Sequence, residues 1–250
     1  MEPRAGWIPL ALFALTFLLY ARTGGFGFVE YDDPAYVRDN PHLAEGLTAQ
    51  SVAWAFTSTD YQYNWHPLTW LSHALDVQLF AGRPGAMHLV NAGLHALNAA
   101  LCFVALLALT RARAASALAA ALFALHPLRV ESVAWISERK DLLAGLFFFL
   151  TLVAYARHAR APSPRRFGAV TLALTAGLLA KPTLVTLPAL LLVLDGWPLG
   201  RIGREPWRRL VGEKLILLVP CVLACTLTLS AQSAGGALSS AIDLPARLAN

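Results

Sequence analysis

Apolar residues in this chain fall into seven runs separated by short polar segments. The runs cover residues 7–21, 88–110, 114–128, 141–157, 167–180, 182–196 and 214–231. Several are closer to 15 than to 20 residues, which at 1.5 Å per residue is shorter than a hydrocarbon core of about 30 Å. Such spans are tolerated when they pack within a bundle and thin the bilayer locally. The pattern therefore predicts up to seven membrane helices.

The composition supports a membrane protein. The 250 residues are 57% hydrophobic and 14% charged, with a mean hydropathy of +0.54, whereas a soluble domain usually holds about 25% charged residues. We therefore expect an all-α polytopic membrane protein. A net charge of +5 could indicate nucleic-acid binding in a soluble chain, but here the basic residues cluster in short loops. We interpret them as a topology signal and expect no nucleic-acid partner.

The basic loops also predict sidedness. Twelve of the twenty Lys and Arg residues are Arg4 and the members of three loops: Arg111 and Arg113; Arg157, Arg160, Arg165 and Arg166; Arg201, Arg204, Arg208, Arg209 and Lys214. The positive-inside rule places these in the cytoplasm. The stretch 167–196 could be one kinked helix or a hairpin at Lys181-Pro182. Only the hairpin puts both flanking loops inside, and it gives seven spans with a cytoplasmic N-terminus.

This topology places segments 22–87, 129–140 and 232–250 on the outer side, together with the turn at Lys181. The titratable residues collected there are Asp32, Asp33, His66, His73, Arg129, Glu131, Glu138, Arg139, Lys140 and Asp141. The first outer loop, 22–87, holds three tryptophans and four of the six tyrosines, a composition typical of a membrane interface. Within it, Pro67–Phe80 has leucines on one face and Thr69, His73 and Asp76 on the other. This pattern predicts an amphipathic helix on the membrane surface.

The acidic pair Asp32-Asp33 begins twelve residues after Tyr20, near the end of the first apolar run. Adjacent side chains point in different directions, so we expect one carboxylate to act as a general base and the other to cap or orient a partner. A purely structural alternative exists, because Asp-Asp-Pro also suits the start of a helix.

A second charged cluster runs from His126 to Asp141, with six charges between Arg129 and Asp141. Were the segment a continuous helix, Glu131 and Glu138 would share a face, and its three cations (Arg129, Arg139 and Lys140) supply donors suited to a phosphate. The alternative is an ordinary charged loop. Lys181 is a further candidate phosphate ligand or, alternatively, a snorkelling lysine.

Four polar residues, His88, Asn91, His95 and Asn98, form one stripe along the run 88–110. We interpret this stripe chiefly as hydrogen-bonding contacts between helices, with His88 the member nearest the outer surface and a substrate. We expect no cofactor, because the spacing of His66, His73 and Asp76 matches no metal-ligand signature. The three cysteines lie in apolar runs and are expected to be packing residues.

Several segments, in order, resemble one family: Tyr31-Asp32-Asp33-Pro34 with Asn40-Pro41, Asn64-Trp65-His66-Pro67-Leu68, His126-Pro127 with Val130-Glu131-Ser132-Val133-Ala134-Trp135, Ser137-Glu138-Arg139-Lys140-Asp141, Ala180-Lys181-Pro182 and Asp195-Gly196-Trp197-Pro198-Leu199. The family is that of the transmembrane and tetratricopeptide-repeat O-mannosyltransferases and their bacterial relatives. The resemblance implies a GT-C-type helix bundle over residues 1–250 with a long outer first loop containing amphipathic helices. Relatives continue into tetratricopeptide repeats, which this chain lacks, so we expect it to be the N-terminal part of a longer protein.

The resemblance implies an inverting enzyme that moves a mannose-like sugar from a polyprenyl- or dolichyl-phosphate lipid to protein Ser/Thr hydroxyls. The reaction would occur on the periplasmic or lumenal side of a bacterial inner membrane or an endoplasmic reticulum membrane. By the same resemblance Asp32 or Asp33 is the base, and the donor phosphate contacts Arg129, Arg139, Lys140 and Lys181. Expected substrate contacts are His66, His88, His126, Glu131 and Glu138. Two alternatives stay open: a non-catalytic scaffold or degenerate relative, and a transporter, although the charges lie at span ends and no inverted repeat is seen.

Overall fold

The computed structural model describes residues 6–236, and within that range the fold is entirely helical, without a β-strand. Its α-helices are α1 Trp7–Tyr20, α2 Ala49–Thr57, α3 Pro67–Phe80, α4 Pro84–Thr110, α5 Arg113–Leu125, α6 Arg129–Ala134, α7 Arg139–Arg160, α8 Pro164–Ala180, α9 Leu187–Gly196 and α10 Trp207–Ala234. Short 3-10 segments and one π-turn, Pro34–Arg38, join them. Arg4, and the part of the predicted outer segment 232–250 beyond Gly236, lie outside the described residues.

Four helices among the described residues are long and apolar enough to cross a membrane. They span Trp7–Gly25, Pro84–Thr110, Ile136–Arg160 and Trp207–Ala234. The other predicted spans are shorter helices of 13, 17 and 10 residues, α5, α8 and α9. The chain is thus an all-α membrane protein, and the full count of seven spans stays a prediction.

The long helices share two common ends. α4 and α7 run in the same direction, because Asn91 near the start of α4 bonds the carbonyl of Trp135 just before α7, and one cavity touches the last residues of both helices. α8 returns antiparallel to α7 and brings Lys181 against Asp141. We call the end that contains Ser137 and Lys181 the outer end, and the end that contains Thr110 and Arg160 the inner end.

The predicted hairpin at Lys181-Pro182 is present. α8 ends at Ala180 at the outer end, the chain turns through Pro182–Thr186, and α9 carries Asp195 back to Tyr155 near the inner end of α7. A proline disfavours helical geometry in the residue before it, and Lys181 is accordingly extended, with φ −159° and ψ 134°. Both flanking basic loops therefore lie at the same end of the bundle.

The outer loop, 22–87, is folded around an aromatic core of its own. Tyr36 stacks on Trp70 with ring centroids 4.7 Å apart, and Trp54 and Tyr61 close the cluster. Trp70 is fully buried and Trp65 nearly so. The loop's aromatic residues were predicted to mark a membrane interface, but these two form an interior. Composition alone does not distinguish the two settings, since both favour large rings with a polar atom.

Helix α3 has the predicted bounds, Pro67–Phe80, and the predicted division into a polar and an apolar face, and its place on a membrane surface stays a prediction. Its polar face is buried in the protein, with Thr69, His73 and Asp76 all at most 3% exposed. Leu75 and Leu79 on the other face are 41% and 61% exposed. The polar residues turn inward because each of two has a partner there: Thr69 donates to the carbonyl of Ala180, and Asp76 pairs with an arginine of α7.

Candidate functional site

Asp33 is a fully buried carboxylate that ties two distant segments together at the outer end. Its Oδ1 accepts hydrogen bonds from the main-chain N–H of Ser137, at 2.9 Å, and from the Ser137 hydroxyl, at 2.5 Å. Its Oδ2 accepts from the N–H of Val29 at 2.8 Å. Asp33 does not cap its own turn, Pro34–Arg38. It instead satisfies an amide at the start of the 3-10 segment Ile136–Glu138, where helical amides lack partners.

Asp32 is the more available member of the pair. Its side chain is partly exposed and makes no hydrogen bond or ion pair with any residue in 6–236. Only its main-chain carbonyl is engaged, accepting from the N–H of Tyr36. The carboxylate acts on its surroundings electrostatically: burial first, and then the negative charge of Asp32, raise the pKa of the Tyr36 phenol well above its usual range. The two adjacent acids thus have different environments, as the sequence predicts.

A network of alternating charges adjoins Asp33. Lys140 Nζ lies 2.7 Å from Glu138 Oε1, and Lys181 Nζ lies 3.8 Å from the other oxygen of Glu138. Lys181 also pairs with Asp141, whose second oxygen accepts from the hydroxyl of Ser132 at 3.2 Å. Lys140, Lys181, Glu138 and Asp141 are called the rim network below. The structure therefore joins the start of α7, the hairpin turn and the acidic pair into one site.

His66 lies next to the two lysines of the rim network. It is 5% exposed, and its Nδ1 lies 3.4 Å from the carbonyl oxygen of Ala180. Burial, and secondarily the positive charges of Lys140 and Lys181, lower the pKa of His66 to about 3. The imidazole is therefore neutral at physiological pH, and it can serve as a hydrogen-bonding partner but not as a cation.

Arg139, a predicted phosphate ligand, is placed in the interior instead. It is fully buried, with Nη1 2.5 Å from Asp76 Oδ2. Its Nε donates to Asn91 Oδ1 at 2.7 Å, and Nη2 donates to the carbonyl of Met87 at 2.9 Å. With these partners the guanidinium joins α3, α4 and α7. It offers no free donor to a ligand at the rim, because adjacent residues of a helix point to different sides and Lys140 takes the rim position.

The polar stripe of α4 forms hydrogen bonds to other segments, as predicted. Each member bonds a main-chain carbonyl of another segment: His88 bonds Gly27, Asn91 bonds Trp135, His95 bonds Ala124 and Asn98 bonds Leu142, over 2.8–3.1 Å. A carbonyl within a membrane bundle has no water to bond. His88 is fully buried and reaches the outer loop, so it holds Gly27 and does not face an open site.

His126 and Glu131 are exposed and stand apart from the rim network. The helix predicted to align Glu131 with Glu138 is interrupted: α6 ends at Ala134, Trp135 is extended, and a 3-10 turn precedes α7. The two glutamates consequently do not share a face. The interruption leaves the carbonyl of Trp135 available to accept from Asn91, and the amide of Ser137 available to donate to Asp33.

Arg129 stands between two cavities that flank the outer half of α7. Its guanidinium carbon lies 4.6 Å from the ring centroid of Phe123. One cavity, about 400 Å³, reaches toward α4 and α5, and the other, about 330 Å³, reaches toward the residues 183–190. Four residues line both cavities: Arg129, Asp141, Gly145 and Phe148. The remaining walls combine six phenylalanine and leucine side chains with five polar ones, His95, Asn98, Ser132, Thr183 and Thr186. The site thus offers a cation, Arg129, and an acid, Asp141, beside a groove with apolar and polar walls.

Sequence reasoning missed a buried ionic cluster at the inner end. Asp195 accepts from the Tyr155 hydroxyl at 2.6 Å and from Arg201 at 3.0 Å, and it pairs with Lys214. Arg201 also bonds Glu213 at 2.8 Å. All five side chains are buried or nearly so. A signal was present in the sequence, because an aspartate that ends an apolar run requires a partner.

No three His, Cys, Asp or Glu side chains gather in a metal-binding arrangement among the residues the structure describes. The three cysteines are free thiols; two of them, Cys102 and Cys221, are buried.

No protein-family model and no solved structure matches this chain. Curated proteins do. The chain is 36% identical over 186 residues to the protein O-mannosyl-transferase Tmtc2 of Drosophila melanogaster, a match that covers 69% of this chain and 20% of the relative. It is 33% identical over 201 residues to Tmtc1 of the same organism, covering 77% and 23%. A mouse protein, O-mannosyl-transferase TMTC1, is 31% identical over 171 residues, covering 62% and 18%. The chain thus spans about a fifth of the length of these relatives.

Proposed function

Because this chain is a TMTC-like protein, related by sequence to protein O-mannosyl-transferases, we propose that it is the membrane domain of a glycosyltransferase. In this proposal the domain moves a mannose-like sugar from a polyprenyl- or dolichyl-phosphate lipid to the hydroxyl of a protein Ser or Thr. The reaction takes place at the outer end of the bundle. The observation that carries the proposal is the free carboxylate of Asp32 beside the rim network.

Asp32 is the general base of the proposed reaction. The acceptor oxygen attacks the anomeric carbon, its proton passes to the Asp32 carboxylate, and the bond between that carbon and the phosphate oxygen breaks. Attack opposite to the leaving group inverts the anomeric centre. Asp32 suits this role because its oxygens have no protein donors to compete with an incoming hydroxyl. Asp33, which already accepts three hydrogen bonds, positions the loop that carries the base.

The leaving lipid phosphate gains a negative charge as the bond breaks, so cations near it stabilise the transition state. Lys140 and Lys181 of the rim network are suitable because both lie at the same end as Asp32, and each is held by the carboxylate of Glu138. Phosphate oxygens can replace those carboxylate oxygens as acceptors. The lysines are therefore kept in place before the donor arrives.

The lipid part of the donor enters along the groove beside α7, against its phenylalanine and leucine side chains. Arg129 at its mouth meets the phosphate, and Phe148 in both cavities contacts the first isoprene units. Gly145 leaves room for Asn98 at this wall, since a Cβ there would lie 3.0 Å from Asn98 Nδ2. The arrangement suits an amphiphile with a charged head and a methyl-branched isoprenoid tail.

The test is sugar transfer from a lipid-linked donor in membranes that contain the full-length protein. Asp32→Asn should reduce turnover by at least a hundredfold, because a base contributes about 10²–10⁴. The matched control is Asp39→Asn, an exposed carboxylate of the same loop that pairs with Arg38 at the surface. Full activity of the Asp32 variant would exclude this residue as the base. If the wild-type protein binds donor without transferring sugar, the chain is a non-catalytic relative.

A further inference from the structure

The inner end of the bundle holds a cavity of about 320 Å³ that has no part in the proposed reaction. It is lined by the last residues of α4 and α7 and by the loop before α10: Leu109, Thr110, Arg111, Ala159, Arg160, Pro198, Leu199 and Arg204. Its volume is about ten times the ~30 Å³ share of a water molecule in the liquid. The cavity is thus large enough for a headgroup.

The cavity is strongly cationic. Three arginines line it, Arg111, Arg160 and Arg204, and no acidic residue between positions 6 and 236 does. None of the three forms an ion pair within the described part of the chain. The Nη2 of Arg160 donates to the carbonyl of Ala108 near the end of α4, so one donor group of this guanidinium is occupied. The remaining side-chain donors of the three arginines have no acceptor within the described part of the chain.

The position of the cavity indicates a membrane ligand. Two membrane-length helices end at its wall, so it lies at the depth where the hydrocarbon core meets water. Trp197 and Trp207, on either side of the loop that supplies Arg204, are 74% and 56% exposed. Exposed tryptophans at such a depth are typical of membrane anchors. Gly200, at φ +59°, turns this loop directly beneath Arg204, so that a side chain there would lie 3.9 Å from the guanidinium carbon.

We propose that this cavity binds the phosphate headgroup of an anionic phospholipid from the leaflet at the inner end. Basic pockets between membrane helices recognise anionic lipid headgroups by charge and by bidentate hydrogen bonds from arginine. The site is separate from the rim network, which lies at the opposite end of α7. The proposal does not depend on sugar transfer.

The experiment measures lipid selectivity of the full chain in bilayers of phosphatidylcholine that contain spin-labelled phosphatidylglycerol or spin-labelled phosphatidylcholine. The wild-type protein should prefer the anionic lipid. Arg111→Gln, Arg160→Gln and Arg204→Gln together should reduce that preference to near unity, with about a fivefold loss per arginine at most. The matched control substitutes Arg165, Arg166 and Arg208, three exposed arginines of the same end outside the cavity.

Two results would overturn the proposal: an unchanged preference in the cavity variant, or an equal loss in the control, which would indicate diffuse surface charge. If the triple variant does not fold, the single variants Arg111→Gln and Arg204→Gln, both exposed, carry the same comparison. Inorganic phosphate at millimolar concentration is the remaining arm. Phosphate binding that the triple variant loses, together with no preference of the wild-type protein for the anionic lipid, would show that the cavity takes a soluble anion and not a lipid.

Discussion

Arg139 and Asp76 form an ion pair sealed inside the protein, with Nη1 2.5 Å from Oδ2 and both side chains at most 4% exposed. The pair connects α7 of the bundle with α3 of the outer loop. Removing one partner leaves an uncompensated buried charge, which typically costs about 3–5 kcal/mol.

We predict that Asp76→Asn destabilises the protein by an amount in that range, while Arg139→Met with Asp76→Leu restores part of the loss. The double variant has neither charge. The stability that it regains relative to Asp76→Asn therefore measures the cost of leaving the buried Arg139 charge without a partner. The measurement is the free energy of unfolding in mixed detergent micelles. Glu205→Gln, which removes an exposed pair with Arg209, should change it by less than about 1 kcal/mol. If the changes in unfolding free energy caused by the two single substitutions added up to that of the double variant, Arg139 and Asp76 would not be coupled.

Substitution of Asp33 should chiefly reduce stability, whereas substitution of Asp32 should chiefly reduce sugar transfer. Asp33→Asn loses charge-assisted bonds to Ser137, each contributing about 1.5–3 kcal/mol, so unfolding should become easier and sugar transfer should fall only partly. Asp32→Asn should leave the unfolding free energy near wild type and remove turnover. Ser137→Ala tests the same bond from the other side. If Asp33→Asn abolished transfer without any change in stability, Asp33 would be a catalytic group and not a positioning residue.

The buried His66 predicts an acid-dependent loss of stability. Its pKa is about 3 when folded and about 6.5 when unfolded, so the unfolded state binds more protons between these values. Stability is therefore fully present above pH 6.5 and falls as the pH is lowered toward 3, with a slope approaching about 1.4 kcal/mol per pH unit. His66→Asn should reduce this slope in the unfolding free energy, whereas the exposed His126→Asn should not. Identical slopes in all three proteins would refute the assignment.

The hairpin makes a prediction about sidedness. In a protein without its three cysteines, Thr183→Cys at the turn should react with an impermeant thiol reagent from the same side as Tyr31→Cys. Arg208→Cys should react only from the other side. All three positions are exposed in the structure. Labelling of Thr183→Cys from the same side as Arg208→Cys would place the turn on the membrane side of the loop before α10 and separate Lys181 from Asp32.

Helix positions could be predicted well, because apolar runs mark them directly: α3 has its predicted bounds, α4 begins four residues before its predicted run and ends with it, and α7 begins two residues before its run and ends three after it. The role of the α4 stripe also followed from its spacing. Whether an individual cation is buried in an ion pair or lies at the rim did not follow from the sequence. Arg139 and Lys140 are adjacent and equally charged, yet one is sealed against Asp76 and the other faces Glu138. Only the direction of each side chain separates them, and that depends on where α7 begins.

Asp195 illustrates the other limit. Its partners Tyr155, Arg201 and Lys214 come from three separate segments, so no local pattern brings them together. The position of Asp195 at the end of an apolar run is a sign in the sequence that it needs a partner, but it does not identify that partner. Long-range pairing of this kind is fixed by packing between helices rather than by propensity within them.

The bond between Asp33 and Ser137 joins residues 104 positions apart. During synthesis the acidic pair therefore leaves the ribosome long before its anchor exists. The aromatic core of the first loop can form early, apart from its contact with Ile136, but the segment around Asp33 stays undocked until the residues that begin α7 have been made. The site around Asp33 is thus completed late in biogenesis, because it requires Ser137.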